Sequence, residues 1–184
     1  RGGKLEREAA GQSFYYYAPM STLVAAPLAS QDRPFILKLV TADFQSVTVQ
    51  GQVTYRVSDP RRTAAMMDFA LGPKGDYVSQ DPQRLGERVA MQVEVIIQQA
   101  VQGLDLKQAL RASASMARAA ERQLANQAEI SALGLEVLGV SIMAVKPTPD
   151  IARALEAEAR ESNLKAADDA VYLRRMSAVE KERA

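Results

Sequence analysis

Cysteine and histidine are both missing from this sequence of 184 residues. Without cysteine the chain can form no disulfide bond and no thiolate metal site. Without histidine it lacks the commonest metal ligand and the usual general base, so no Ser-His or Cys-His nucleophile pair can be built. These absences exclude several large classes of enzyme, and we expect neither a metal nor any other cofactor.

A long apolar run and an excess of charge of one sign are also missing. A membrane-spanning helix needs about 20 mostly apolar residues in succession, and the sequence has no such run. The 23 basic residues nearly balance the 22 acidic ones, so nothing predicts a nucleic-acid partner. No signal peptide follows Arg1, and the sequence stops at Ala184 within a charged helical pattern. We therefore expect a piece of a longer protein, whose membrane anchor could lie outside this chain.

The sequence does contain a long alternating segment that ends at a proline. Over residues 47–57 the odd positions are apolar residues and one glycine, whereas the even positions are polar. Such alternation predicts a β-strand with one buried and one exposed face. Pro60 ends this strand because proline removes a backbone donor. Asp59 is expected to cap the turn or the following helix.

Three shorter strands are expected before this one. They are an aromatic strand at 14–17, an apolar strand at 21–28 that Pro27 interrupts, and a strand at 35–40. Turn residues occupy 30–34. Residues 1–12 are polar and contain glycine, as is typical of a lead-in or linker.

Helical signals dominate after Pro60. The expected helices cover 61–69, a long segment that starts at an Asp81 N-cap and ends at Gly103, 106–111 with Asp105 as N-cap, and 115–133 with Gly134 at its end. A loop at 71–80 separates the first two helices. An apolar strand follows at 135–145, and a long helix runs from Asp150 to the end of the chain.

Strands, then helices, then a returning strand and a long helix describe an α+β fold. We predict a β-rich, antiparallel N-terminal half, helices packed on a sheet, and a long C-terminal helix. The stretch VTVQGQVTYRVSDP, with the apolar strand and the aspartate before it, resembles the signature of the SPFH or band 7 family, which includes stomatin, prohibitin and flotillin. The resemblance implies an SPFH domain over 13–149, β-rich over 13–60 and helix-containing over 61–149. Residues 150–184 would then begin a coiled-coil helix.

The resemblance also implies a structural rather than a catalytic function. Members of the family associate with membranes and assemble into scaffolds, so we expect a homo-oligomer, in the form of a ring, cage or array, that organises lipids and membrane proteins. The chain would reach the membrane peripherally or through an anchor outside it. Contact with the lipid surface is expected at Leu23, Val24 and Leu28, because family members often touch the bilayer through the start of this domain. The alternative is that this apolar segment is a buried strand.

Assembly is expected along one side of the helix after Asp150. This side carries mostly small residues at mixed spacings of three and four, as a coiled-coil seam requires: Leu155, Ala159, Ser162, Ala166, Ala170, Leu173 and Ser177. Such a seam would hold an isolated pair weakly, but small residues permit close packing when many copies are held in an array. The alternative is a lone solvated helix.

Three other functions are open alternatives. Some family members regulate a membrane-bound protease, which predicts a specific client protein in fixed stoichiometry. A soluble binding module of the same architecture, similar to the shoulder domain of the major vault protein, would bind no lipid. For an enzyme, Asp43 and Asp59 are the acid/base candidates, but the sequence places no basic or nucleophilic partner beside either.

Overall fold

The computed structural model describes residues 7, 8, 10, 11, 15–17 and 20–183, with side chains up to residue 178. Three strands form one sheet: β1 (Gln31–Val40), β2 (Ser46–Val57) and β3 (Leu135–Pro147). Six helices accompany it: α1 (Pro60–Met66), α2 (Asp81–Gln102), α3 (Leu106–Arg111), α4 (Ser113–Ala125), α5 (Ala128–Ala132) and α6 (Pro149–Arg183). The predicted α+β class is confirmed, with the antiparallel strands first, the helices after them and the long helix last.

The sheet is antiparallel in the order β1-β2-β3, so the long alternating strand lies at its centre. The alternation predicted for this strand is confirmed, because its odd positions from Val47 to Val57 are all buried. Cross-strand pairs such as Phe35 with Gly51 and Val53 with Val140 place their side chains on the same face. This face forms one wall of the core.

Two helices cover the buried face of the sheet. The predicted apolar side of α2 is confirmed, since its residues at spacings of three and four are buried: Leu85, Val89, Val93, Ile96 and Ile97. Met116, Ala120 and Leu124 of α4 are buried beside them. Each large apolar side chain removed from water stabilises the fold by about 1.5–3 kcal/mol. The opposite face of the sheet stays largely polar and half-exposed.

The helix starts follow the capping residues of the sequence, with one correction. Asp59 caps α1 and accepts a hydrogen bond from the backbone N–H of Arg62 at 3.2 Å. Asp105 caps α3 through a capping box with Gln108. The prediction for Asp81 was wrong by one position: Gln80 is the N-cap of α2. Asp81 instead accepts a hydrogen bond from the backbone N–H of Asp68 at 2.9 Å.

The expected strands at 14–17 and 21–28 are corrected by the structure. Residues 15–17 are irregular and exposed, while residue 14 lies outside the described part. The 21–28 segment forms only an isolated bridge, between Val24 and Ala70. Residues 31–34 belong to β1 rather than to a turn. Pro34 is compatible with this position because β1 is an edge strand, where a missing N–H is tolerated.

The single helix expected at 115–133 is in fact two. The helix is interrupted at Asn126 and Gln127, because Gln127 takes an extended backbone conformation between α4 and α5. Gly134 ends α5 as predicted, with a left-handed φ of 72°. Its carbonyl accepts hydrogen bonds from the backbone N–H groups of Ser58 (2.9 Å) and Asp59 (3.0 Å), which ties the end of β2 to the start of β3.

Candidate membrane and assembly surfaces

Three segments form a short ribbon through backbone pairings; we call residues 23–28, 69–71 and 77–78 the apolar ribbon. The N–H of Ala25 donates to the carbonyl of Phe69 at 3.1 Å, and the N–H of Leu71 donates to Leu23 at 2.9 Å. On the other side, the N–H of Val78 donates to the carbonyl of Ala70 at 2.9 Å. The middle segment is therefore held on both edges by short backbone pairings.

Aromatic packing fixes the apolar ribbon to the core. Phe69 is fully buried, and its ring meets that of Tyr77 edge to face, with centroids 6.1 Å apart. The Tyr77 hydroxyl donates to the carbonyl of Ala25 at 2.8 Å, which links the third segment directly to the first. This role could not be predicted from the sequence, because Tyr77 and Val78 lie in a stretch whose glycines and proline indicate only a loop.

The outer surface of the apolar ribbon is hydrophobic. Of the three residues expected to contact lipid, Leu23 is half-buried, whereas Val24 and Leu28 are each 47% exposed. Val78, which the sequence did not single out, is 68% exposed. The surface is thus a composite of residues about 50 positions apart in the chain.

The two arginines next to the apolar ribbon are already paired. Arg61 of α1 forms an ion pair with Glu8 at 2.6 Å, and this carboxylate raises the pKa of the Arg61 guanidinium. Arg62 pairs with Asp59 at 3.1 Å. These exposed ion pairs weaken the attraction of the two arginines for an anionic headgroup.

The base of α6 packs on the body of the domain. Ile151 and Leu155 are half-buried against the core, and Lys107 of α3 forms an ion pair with Glu158 at 2.9 Å. Leu155 therefore meets residues of its own chain. The other residues expected to mediate assembly (Ala159, Ala166, Ala170 and Leu173) are exposed.

Beyond this base α6 is exposed on every side, from residue 156 to residue 178. Its large apolar side chains spread over half of the helix circumference, because Tyr172 (63% exposed) and Met176 (45%) lie between Leu164 on one side and Leu173 on the other. Leu173 is 67% exposed and shares a face with Ala166 and Ala170, while Leu164 (68%) and Val171 (46%) share another. Leu164 and Leu173 point in opposite directions, because a separation of nine residues rotates a helix by about 180°. The seven-residue spacing of Leu164 and Val171 was the signal that could have revealed this second face.

The turn between β1 and β2 is fastened to α3; we call residues 41–45 the hairpin tip. One carboxylate oxygen of Asp43 accepts hydrogen bonds from the Thr41 hydroxyl and from the backbone N–H of Leu106, at 3.1 Å for the latter. These bonds stabilise the charged form and hold the pKa of the Asp43 carboxyl below its ordinary value of 3.8. The N–H of Ala42 donates to the carbonyl of Leu104 at 2.9 Å.

One open cleft, of about 370 Å³, lies between α1, α2 and α5. Met66 and Met91 flank it, and a carboxamide chain crosses its edge: Gln127 donates to Gln92 at 3.0 Å, and Gln92 donates to Glu129 at 2.6 Å. None of these side chains forms a nucleophile–base pair. Among the described residues, no group of three or more carboxylates could hold a metal ion.

Neither acid/base candidate gains a catalytic partner. The Asp43 carboxylate accepts a hydrogen bond from the backbone of α3 and so fastens the hairpin tip, whereas Asp59 caps α1 and pairs with Arg62. No helix in the described part of the chain is long and apolar enough to cross a bilayer. What the fold presents is an α+β module with an apolar ribbon, a rigid hairpin tip and an exposed helix, which is the character of a protein that binds other molecules through its surfaces.

A comparison with protein-family models agrees with this class. Residues 1–183 match the model of the SPFH domain / Band 7 family, so the chain belongs to that family and the resemblance seen in the sequence is confirmed. Proteins of the family are generally membrane-associated, non-catalytic scaffolds that form oligomers at membranes. A comparison with curated proteins gives no significant match.

Proposed function

We propose that this chain is a subunit of a homo-oligomeric scaffold that lies on a membrane and encloses lipids and membrane proteins within a ring, cage or array. The apolar ribbon, with Val24, Leu28 and Val78, contacts the lipid surface. The exposed part of α6 packs against the same helix in neighbouring subunits. The domain itself catalyses no reaction and needs no cofactor.

The observation that carries this proposal is the position of the two surfaces at opposite ends of the sheet. Leu28 precedes β1 by three residues, and Gln31 at the start of β1 pairs with Tyr55 near the end of β2. The helix α6 starts directly after Pro147, which pairs with Val47 at the other end of β2. With a rise of about 3.3 Å per residue, the steps from Val47 to Tyr55 along β2 separate these two pairs by about 26 Å. Lipid and neighbouring helices can therefore be contacted simultaneously.

The two apolar faces of α6 support an assembly of many subunits rather than a pair. A helix with one apolar face satisfies it with a single partner. A helix with Leu173 on one face and Leu164 on the other has a contact for each of two neighbours. Such head-to-tail contacts continue from subunit to subunit and close into a ring or cage when the rotation permits. Individually weak contacts then add up through multivalency.

The experiment that tests this function is the particle mass of the complete protein, extracted from its native membrane in mild detergent. The same protein truncated before Asp150 is the comparison. A large, discrete particle that collapses on truncation supports a scaffold assembled through α6. A monomer in both cases contradicts it.

The regulatory alternative is resolved by the same preparation. A membrane-bound protease that co-purifies in fixed stoichiometry would favour a regulator of proteolysis over a general lipid and protein scaffold. Mass spectrometry of the particle, with the truncated protein as control, distinguishes the two functions.

A further inference from the structure

Phe44, at the hairpin tip, is held in a conformation that phenylalanine seldom adopts. Its φ is 59°, and no other non-glycine residue of the described chain has a positive φ. The left-handed region costs a residue with a Cβ roughly 1 kcal/mol or more, which is why glycine or asparagine usually occupies such positions. The side chain is also 88% exposed, so an aromatic ring is presented to solvent from a strained backbone.

Because the Phe44 side chain is 88% exposed, packing of its ring on the described part of the chain offsets little of this cost. The ring makes no aromatic contact, and the nearest bonds of the hairpin tip involve its backbone and the side chains on either side of it. The N–H of Phe44 donates to the carbonyl of Thr41 at 3.0 Å, and the N–H of Gln45 donates to the Thr41 hydroxyl at 3.1 Å. These bonds, and the bond from the N–H of Leu106 in α3 to Asp43, hold the backbone of the tip and so fix the point from which the ring projects.

The position of the hairpin tip in the fold indicates which partner contacts the Phe44 ring. The tip lies at the end of the sheet where β3 ends and α6 begins, since Val47 pairs with Pro147. The same α3 helix that holds Asp43 also holds α6, through Lys107 and Glu158. The apolar ribbon leads into β1 at the other end of β2, so a flat bilayer that the ribbon contacts reaches this tip only if the sheet lies along the membrane.

We infer that Phe44 is an oligomer contact, a rigid aromatic knob that packs against a second copy of this chain beside the base of α6. The inference rests on the proposed function, because the neighbouring copy is brought to this level by the packing of α6 helices. Family membership supports a second copy as the occupant, since SPFH proteins generally form oligomers at membranes. Aromatic side chains, phenylalanine among them, are enriched at protein interfaces relative to the rest of the surface.

The test is the variant Phe44→Asn in the complete protein. Asparagine tolerates the left-handed conformation, so the variant removes the ring and relieves the strain in one change. We expect the variant to assemble less readily although its domain is no less stable. The denaturant midpoint of the domain should stay the same or rise, while the concentration needed to form the detergent-extracted particle should rise on the order of tenfold, as loss of an interface anchor does.

Two controls define the result. Phe44→Trp keeps a ring on the same backbone and should assemble nearly as well as the unaltered protein. Met20→Asn replaces a side chain of almost equal exposure, 86%, away from the hairpin tip and should leave the particle unchanged.

The outcomes that overturn the inference are distinct from failure of the proposed function. If the unaltered protein forms no particle, the proposed function fails. If it forms one and Phe44→Asn assembles at the same concentration, only the role of Phe44 fails. A lowered denaturant midpoint would show that the ring supports its own fold, and weakened binding to phosphatidylcholine vesicles would assign it to lipid; either result overturns the inference.

Discussion

The ring of Phe35 lies directly over Gly51, its partner on the neighbouring strand. A Cβ added at Gly51 would come closer than 3.0 Å to that ring and to the backbone carbonyl of Ser141 on the third strand. The glycine is therefore not a gap in the apolar face of β2. It is the space that the Phe35 side chain fills, beside the register shift between β2 and β3 at Gln50 and Gly51.

Gly51→Ala should destabilise the domain by about 2–3 kcal/mol. The added methyl group cannot be accommodated by rotation of Phe35 alone, because Ser141 contributes a backbone atom that moves only with β3. Urea unfolding of the two proteins measures the difference. Gly103→Ala is the matched control, since Gly103 has an ordinary φ of −87° and the nearest atom to the new Cβ would be the carbonyl oxygen of Ala100 at 3.7 Å. Equal stability of Gly51→Ala and the unaltered domain would contradict the packing described.

The charge of Asp43 should stabilise the fold at neutral pH and cease to do so in acid. Its pKa is lower in the folded chain than its ordinary value of 3.8, so folding favours the ionised form. The contribution is fully present above the pKa of the unfolded state and is lost as the pH falls through the folded-state pKa. The stability difference between the unaltered chain and Asp43→Asn should accordingly shrink below pH 3.8. An NMR titration of the carboxyl group is decisive, because a midpoint at or above 3.8 would disprove the shift.

Binding to lipid should depend on the exposed residues of the apolar ribbon. Val24→Asp and Val78→Asp should each reduce co-sedimentation of the domain with phosphatidylcholine vesicles about tenfold, the equivalent of removing one valine side chain from the apolar phase. Val40→Asp is the control, because Val40 is 48% exposed, against 47% for Val24, and lies at the opposite end of the sheet. If all three variants bind alike, the ribbon is not the lipid contact.

The Leu173 face of α6 in one subunit should bind the Leu164 face of α6 in the next subunit. Leu173→Glu and Leu164→Glu each disable one face, so neither variant alone should form the large particle. A mixture of the two retains one intact pair of faces, and it should form dimers but nothing larger. Native mass spectrometry distinguishes these states. A mixture that stays monomeric would contradict a contact between unlike faces, and full particles from either single variant would remove that face from the assembly.

The elements that could be predicted from the sequence are those whose apolar residues follow one regular period. The alternation over β2 and the spacing in α2 each follow from one buried face. Both elements could therefore be predicted without knowing which other elements pack against them. The break between α4 and α5 could not, because Asn126 and Gln127 are neither glycine nor proline. The strained backbone at Phe44 was equally invisible, since the sequence places phenylalanine where a turn would favour glycine.

The candidate surfaces were predicted only in part, for a related reason. Leu23, Val24 and Leu28 are adjacent in the sequence, so their shared apolar character was apparent. The contribution of Tyr77 and Val78 depends on backbone bonds to residues about 50 positions away, which no local pattern encodes. On α6 the prediction from sequence covered only the small residues of one face. Leu164 and Val171 lie on another face and were left out, because a coiled-coil pattern with a single seam includes one face only.

The order of the strands in the chain also governs when this domain can fold. The hairpin of β1 and β2 closes through a turn of only five residues, whereas β3 joins β2 after an interval of more than 70 residues. On the ribosome, the apolar face of β2 must wait for its second partner until residues 135–147 have been synthesised, and such long-range pairing is the slow step in folding. Only then does α6 emerge. The helix proposed to join subunits is thus made after the sheet that supports it, so the sheet of a newly made chain can close before α6 joins that chain to a neighbour.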